Sequence, residues 1–96
     1  MMMNFDVLEE DVIKAKERYI ENISPLKLKI FPSKEKQKYI LLRFIVKLFD
    51  KDKKYSEKEI NEILKPVYED YVMLRRYLVD YQYLDRLDNG QVYWVK

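Results

Sequence analysis

Cysteine and histidine are both absent from this chain of 96 residues, and glycine occurs once. The missing sulfur and imidazole exclude disulfide staples, thiol nucleophiles, imidazole bases and the usual zinc sites, so any metal would have to be held by carboxylates alone. A single glycine excludes the glycine-rich loop that cradles phosphates. Long apolar runs are missing too, and no stretch approaches the ~18 residues of a membrane span. The opening "MMMNFDVLEED" carries acid where a secretory leader carries base, which predicts a cytoplasmic protein with no membrane role.

What is present is a folding composition. Hydrophobic residues make up 48% and aromatics 15%, with 38% charged residues to cover the outside. That suits one small domain with a single core. Paired carboxylates such as Asp50 with Asp52, or Asp85 with Asp88, have no partner set for acid–base work. The expectation is therefore a non-enzymatic protein with no cofactor and no evident small-molecule substrate. Net charge is only +2, but it is unevenly spread: residues 1–25 hold six acids against three bases, and residues 26–55 hold ten bases against three acids.

Phe5, Leu8, Val12, Ala15, Tyr19 and Ile23 recur at steps of three and four, which predicts an amphipathic helix from about Phe5 to Asn22, ended by "NISP". "LKLKIFP" alternates strictly and predicts a short strand or extended connector. Ser33 is placed to cap the next helix, "KEKQKYILLRFIVKLFD", which is apolar on nearly every side. On an internal explanation Ile40, Leu41, Phe44, Ile45 and Leu48 face the main core while Leu42, Val46 and Phe49 receive the N-terminal helix; a subunit interface is the alternative. In "SEKE", Ser56 and Glu59 have capping-box spacing. Pro66 can open the following helix, which runs through "VYEDYVMLRRYLVDYQ". Asn89 and Gly90 then predict a type I′ hairpin turn.

The resulting fold class is mainly α with a small β-hairpin (α+β). Helix, short strand, helix, tight turn, helix and two-stranded hairpin is the order of a winged helix-turn-helix domain, here over about Ser33 to Val95 with an extra N-terminal helix. The chain divides into a helical extension at 1–25 and a winged-helix-like domain at 26–96.

The segments "FPSKEKQ", "YSEKEINEIL", "LRRYLVDYQYLDR" and "YWV" together resemble the bacterial domain of unknown function family 2087, over Leu26 to Trp94. That family occurs alone or fused to helix-turn-helix transcriptional regulators. The resemblance implies a bacterial regulatory neighbourhood and an accessory role beside a separate DNA-binding module. It carries no activity. On that resemblance the motif positions are Phe31, Pro32, Lys34, Tyr55, Ser56, Glu57, Glu59, Asn61, Asp70, Leu74, Arg75, Arg76, Leu78, Val79, Asp80, Leu84, Asp85, Arg86, Tyr93 and Trp94.

In a helix-turn-helix reader the second helix enters the major groove. With Leu74 at the centre of the core face, ~100° per residue puts Val67, Tyr71, Leu78 and Tyr81 inside as well. The opposite face holds Glu69, Val72, Met73, Arg76 and Asp80, with Arg75 on the flank. Val72, Met73 and Arg76 are the candidate protein-interaction residues, because two apolar residues between acids suit a protein better than phosphates. The nucleic-acid candidates are Arg75, Arg76, Arg86 and Gln91 near the duplex, with Lys34, Lys36 and Lys38 on phosphates. Structural readings stand beside these: Arg76 paired with Asp80, and Arg75 paired with Asp70, Asp85 or an acid of another helix. Tyr77, Tyr81, Tyr83, Tyr93 and Trp94 suit core positions or base stacking. The expected function is an accessory or protein-interaction module of bacterial transcriptional regulation, with a second copy (a homodimer) or another protein as partner. The alternative is a DNA-binding winged-helix regulator.

Overall fold

The computed structural model describes residues 6–96; Phe5, where the first helix was expected to begin, lies outside them. Helix α1 (Glu9–Tyr19) opens with Glu9, Glu10 and Asp11 and closes with Lys16 and Arg18, matching the helix dipole at both ends. The Leu8 N–H donates to the Asp11 carboxylate at 3.0 Å. This helix stops at Tyr19 rather than Asn22. Ile20–Ile23 turns extended as β1 and pairs antiparallel with β2 (Leu26–Leu28), so Ile20, Leu26 and Leu28 are buried together. The connecting turn contains a cis Ser24–Pro25 peptide and is closed by the Asn22 side-chain amide on the Pro25 carbonyl. The division drawn at residue 25 thus falls inside this hairpin, and Ala15, Tyr19 and Ile20 belong to the same buried cluster as the rest of the chain.

Helix α2 (Glu35–Val46) starts one residue later than expected. Lys34 is its last extended residue, at φ −84° and ψ 140°, and no side chain caps it, so Ser33 lies too far out to bond the first-turn amides. Ile40, Leu41, Leu42 and Ile45 are buried, as a helix covered from two sides requires. Leu48, expected in the core, is exposed. Beyond Val46 the chain tightens into a turn in which the Leu48 and Phe49 N–H groups donate to Ile45 and Val46, and this change of spacing brings Phe49 in and leaves Leu48 out.

Strand β3 (Lys54–Ser56) leads directly into α3 (Glu57–Leu64) through the capping box: the Glu59 N–H donates to Ser56 Oγ at 3.1 Å and the Ser56 N–H to Glu59 Oε1 at 2.9 Å. Three residues are too few to show a strand periodicity, and β3 was not foreseen. Helix α4 (Tyr71–Asp80) is capped by Asp70, whose carboxylate accepts from the Met73 N–H at 3.1 Å, so Pro66 sits in the turn before the helix and not in its first turn. Val67 anchors that turn: its side chain is buried and its carbonyl accepts from the Leu28 N–H.

Helix α4 ends in a Schellman arrangement, with the Gln82 N–H on the Val79 carbonyl and the Tyr83 N–H on the Leu78 carbonyl; Gln82 takes φ +65°. Strands β4 (Leu84–Arg86) and β5 (Val92–Val95) form the terminal hairpin. Its turn is centred on Asp88–Asn89, one residue earlier than expected. The Gly90 N–H closes it on the Leu87 carbonyl at 2.8 Å, and of the turn residues Gly90 alone carries positive φ, at +70°. Because the Leu87 N–H also meets the Val92 carbonyl, four residues span the ends, too many for a type I′ connection.

The second sheet is antiparallel in the order β3–β5–β4, with Tyr55 and Arg86 on either side of Tyr93. The result is an α+β domain in which α2, α3, α4 and the β4–β5 hairpin follow the order expected from the sequence, with β3 added between α2 and α3. No helix among the described residues is long and apolar enough to cross a membrane.

Candidate functional site

Helix α4 is held by Leu74 and Leu78, both inaccessible to solvent, with Val67 and Tyr81 buried beside them. Those contacts fix its rotation, and the face predicted to point outward does so: Glu69, Val72, Arg76 and Asp80 are exposed and Met73 is half-buried. Val72, Met73 and Arg76 line one shallow depression of about 340 Å³, together with Asp70, Tyr77 and Asp80. Tyr77 is fixed by stacking on Phe31, with centroids 5.5 Å apart.

Arg75 behaves differently from its neighbour. Its side chain is only 15% exposed, and its Nη1 reaches Asn61 Oδ1 at 2.6 Å and Glu57 Oε1 at 3.2 Å, both on α3. The guanidinium therefore joins α4 to α3, matching the reading in which its partner is an acid from another helix. Glu57 and Asn61 were not singled out as its partners. Their signal was a polar i, i+4 pair on the same short helix as the apolar edge of Ile60, Ile63 and Leu64.

Arg76 is exposed and makes no ion pair with Asp80 or with any other described residue. On its other side it lines a cleft of about 450 Å³ between α4 and the terminal hairpin, where Arg75, Arg86, Asp80 and Tyr93 also contribute. Arg86 is exposed there, with a guanidinium nitrogen close over Gly90, where an added Cβ would lie 3.3 Å away. Gln91 is exposed at the hairpin turn but does not line this cleft.

The lysines predicted to track phosphates do not form one surface. Lys36 pairs with Asp11 of α1 at 3.1 Å. Lys38 donates to the Tyr77 hydroxyl and lies 4.7 Å from that ring's centroid. Lys34 lines a cleft against α1 that Lys36 also lines, apart from Lys38. Elsewhere in the basic segment Lys27 pairs with Glu21, Lys29 bonds the Glu17 carbonyl and Lys53 approaches Glu59. The positive charge of residues 26–55 is thus divided among several neighbours.

Most of the aromatic residues are committed to packing. Tyr81 and Tyr93 are buried, and the Tyr83 hydroxyl donates to the Tyr39 carbonyl at 2.9 Å. Burial pushes the Tyr83 and Tyr81 phenols above their usual pKa. Asp11 is held low by the Leu8 backbone N–H and then by Lys36, and Glu59 by the Ser56 backbone N–H. Both are shifts of helix-capping groups, which favour the ionised form and do not suit a proton donor at neutral pH.

No curated protein and no solved structure matches the chain. A family model does, over residues 27–95, and its coverage includes α2 to β5 with every residue of the α4 face and of the hairpin cleft. The chain belongs to the family described as an uncharacterized protein conserved in bacteria, domain of unknown function 2087.

Proposed function

We propose that the chain is a non-enzymatic protein-interaction module of bacterial transcriptional regulation, and that it engages its partner through the outer face of α4. The observation that carries this is the makeup of that face. Val72 is 41% exposed, with half-buried Met73 beside it and Asp70 and Asp80 around the single unpaired Arg76. A groove-reading helix is normally net basic, and acids at this spacing would oppose a phosphate surface about as much as one arginine attracts it. Withdrawal of Arg75 to Glu57 and Asn61 weakens the electrostatic case further.

Direct DNA binding is the second reading, favoured by one feature: Arg76 and Arg86 are both exposed and line the same cleft between α4 and the hairpin. The protein-interaction reading is tested with a triple variant, Val72→Ser, Met73→Ser and Arg76→Ala. Sedimentation over ~1 μM to ~1 mM covers weak self-association, and capture on the immobilised chain covers other proteins. Loss of association in the variant supports the surface. Unchanged sedimentation together with an unchanged captured set contradicts it.

A further inference from the structure

The packing of α1 on α2 builds a third concavity, lined by none of the residues of the α4 face. It encloses about 370 Å³, within the ~300–1,000 Å³ common for small-molecule sites. Its floor is apolar, formed by Ala15, Tyr19 and Ile40, all buried. Its rim is cationic: Lys14 and Arg18 from α1 face Lys34 and Lys36 at the start of α2, and the one acid in the lining is Asp11.

The charges do not cancel. Asp11 is engaged by Lys36 at 3.1 Å, and among the described residues Lys14, Arg18 and Lys34 have no carboxylate within ion-pairing distance. Three like charges around one indentation repel one another, and low-dielectric walls focus their field on whatever enters. An incoming anion relieves that repulsion. Gln37 adds a neutral recognition group. Its Oε1 accepts the Tyr19 hydroxyl at 2.6 Å, which leaves its amide N–H donors unspent at the same wall. An apolar floor beneath a cationic rim matches neither a bare inorganic ion, which gains nothing from the floor, nor an extended phosphate backbone, which would run past the indentation without filling it.

We propose that this cleft binds a small organic anion, a carboxylate or phosphate head on a compact apolar body. The head sits between Arg18 and Lys34, and the body lies over Ala15, Tyr19 and Ile40. The inference is independent of the α4 surface, and α1 is needed for it: Lys14 and Arg18 lie outside the residues the family model covers.

The probe is phenyl phosphate, compared with inorganic phosphate for the head alone and benzyl alcohol for the body alone, read by thermal unfolding and by titration calorimetry of the full chain. Phenyl phosphate at about ten times its Kd is expected to raise Tm by roughly 5–10 °C. Both partial probes are expected to act at least ten-fold more weakly. Arg18→Ala and Lys34→Ala each reduce phenyl phosphate affinity at least ten-fold, whereas Lys58→Ala, on the exposed side of α3, leaves it unchanged. The proposal is overturned if phenyl phosphate gives no shift, if inorganic phosphate matches it, or if the two cleft variants bind as wild type does. It is equally overturned if the two variants lose duplex DNA binding while phenyl phosphate neither binds nor competes, since the rim would then serve a polyanion.

Discussion

Replacing Arg75 with alanine separates a structural arginine from a recognition arginine more sharply than any other single change. The wild-type guanidinium makes a short charged hydrogen bond to Asn61 at 2.6 Å and a closer-to-surface ion pair to Glu57 at 3.2 Å. A hydrogen bond to a charged group contributes about 1.5–3 kcal/mol. Glu57 is about half exposed, so its pair adds under ~1 kcal/mol after solvent screening. Asn61 is only half-buried and recovers some hydration when abandoned, which places the total near ~2 kcal/mol, toward the low end of those ranges. For a domain of this size that corresponds to a Tm about 8–16 °C lower. Arg76→Ala removes an exposed side chain without a partner and should stay within ~0.5 kcal/mol of wild type. Thermal unfolding followed by circular dichroism, with a double-mutant cycle against Asn61→Ala, reads both effects; the cycle should return a coupling of about 1 kcal/mol. An Arg75→Ala midpoint equal to wild type, or zero coupling to Asn61, refutes the structural assignment.

Three further outcomes follow from the helix ends. Ser56→Ala removes the acceptor of the Glu59 N–H and should cost about 1 kcal/mol in urea unfolding. Gln82→Gly relieves a non-glycine side chain at φ +65° in the Schellman turn and should raise stability by about 0.5 kcal/mol, because glycine adopts that geometry freely. Glu59 and Asp11 both have lowered folded-state pKa values, so each contributes stability above the ordinary carboxylate range and loses it as pH falls through ~4 and below. Urea midpoints measured between neutral pH and ~3 should decline, and Glu59→Gln should flatten the decline.

The parts of this fold that were legible in the sequence are those decided by neighbours along the chain. The Ser56–Glu59 capping box depends on four consecutive residues, and the rotation of α4 follows from the spacing of Leu74, Leu78 and Tyr81. The parts that were not legible depend on distant pairing. Ile20–Ile23 continues the helical spacing of α1, yet it becomes a strand because Leu26–Leu28 can pair with it while burying its own two leucines. Lys54–Ser56 is a strand only because β5 runs beside it. The hairpin turn shifted by one residue because its position is set by the register of Leu87 against Val92 and not by the Asn–Gly dipeptide.

The candidate site shows the same split. The outward-facing set of exposed Val72 and Arg76 with half-buried Met73 could be read from a single helix. The fate of Arg75 required α3, and the meeting of Arg76 with Arg86 required the hairpin to fold back on α4. The cationic cleft was the least legible of all. Lys14 and Arg18 are four apart on one helix, but nothing local indicates that Lys34 and Lys36 face them across an apolar floor.

The most direct test of the protein-interaction account is fluorescence anisotropy of labelled duplex DNA titrated with the chain at about 50 and about 200 mM salt, where phosphate-driven binding changes most. Wild type, Arg76→Ala and Arg86→Ala would be compared side by side. The account predicts no binding beyond a weak rise at the lower salt that the two arginine variants leave unchanged. Tight binding that falls steeply with salt and is lost in both variants would contradict it, and would make the cleft between α4 and the hairpin a DNA-binding site.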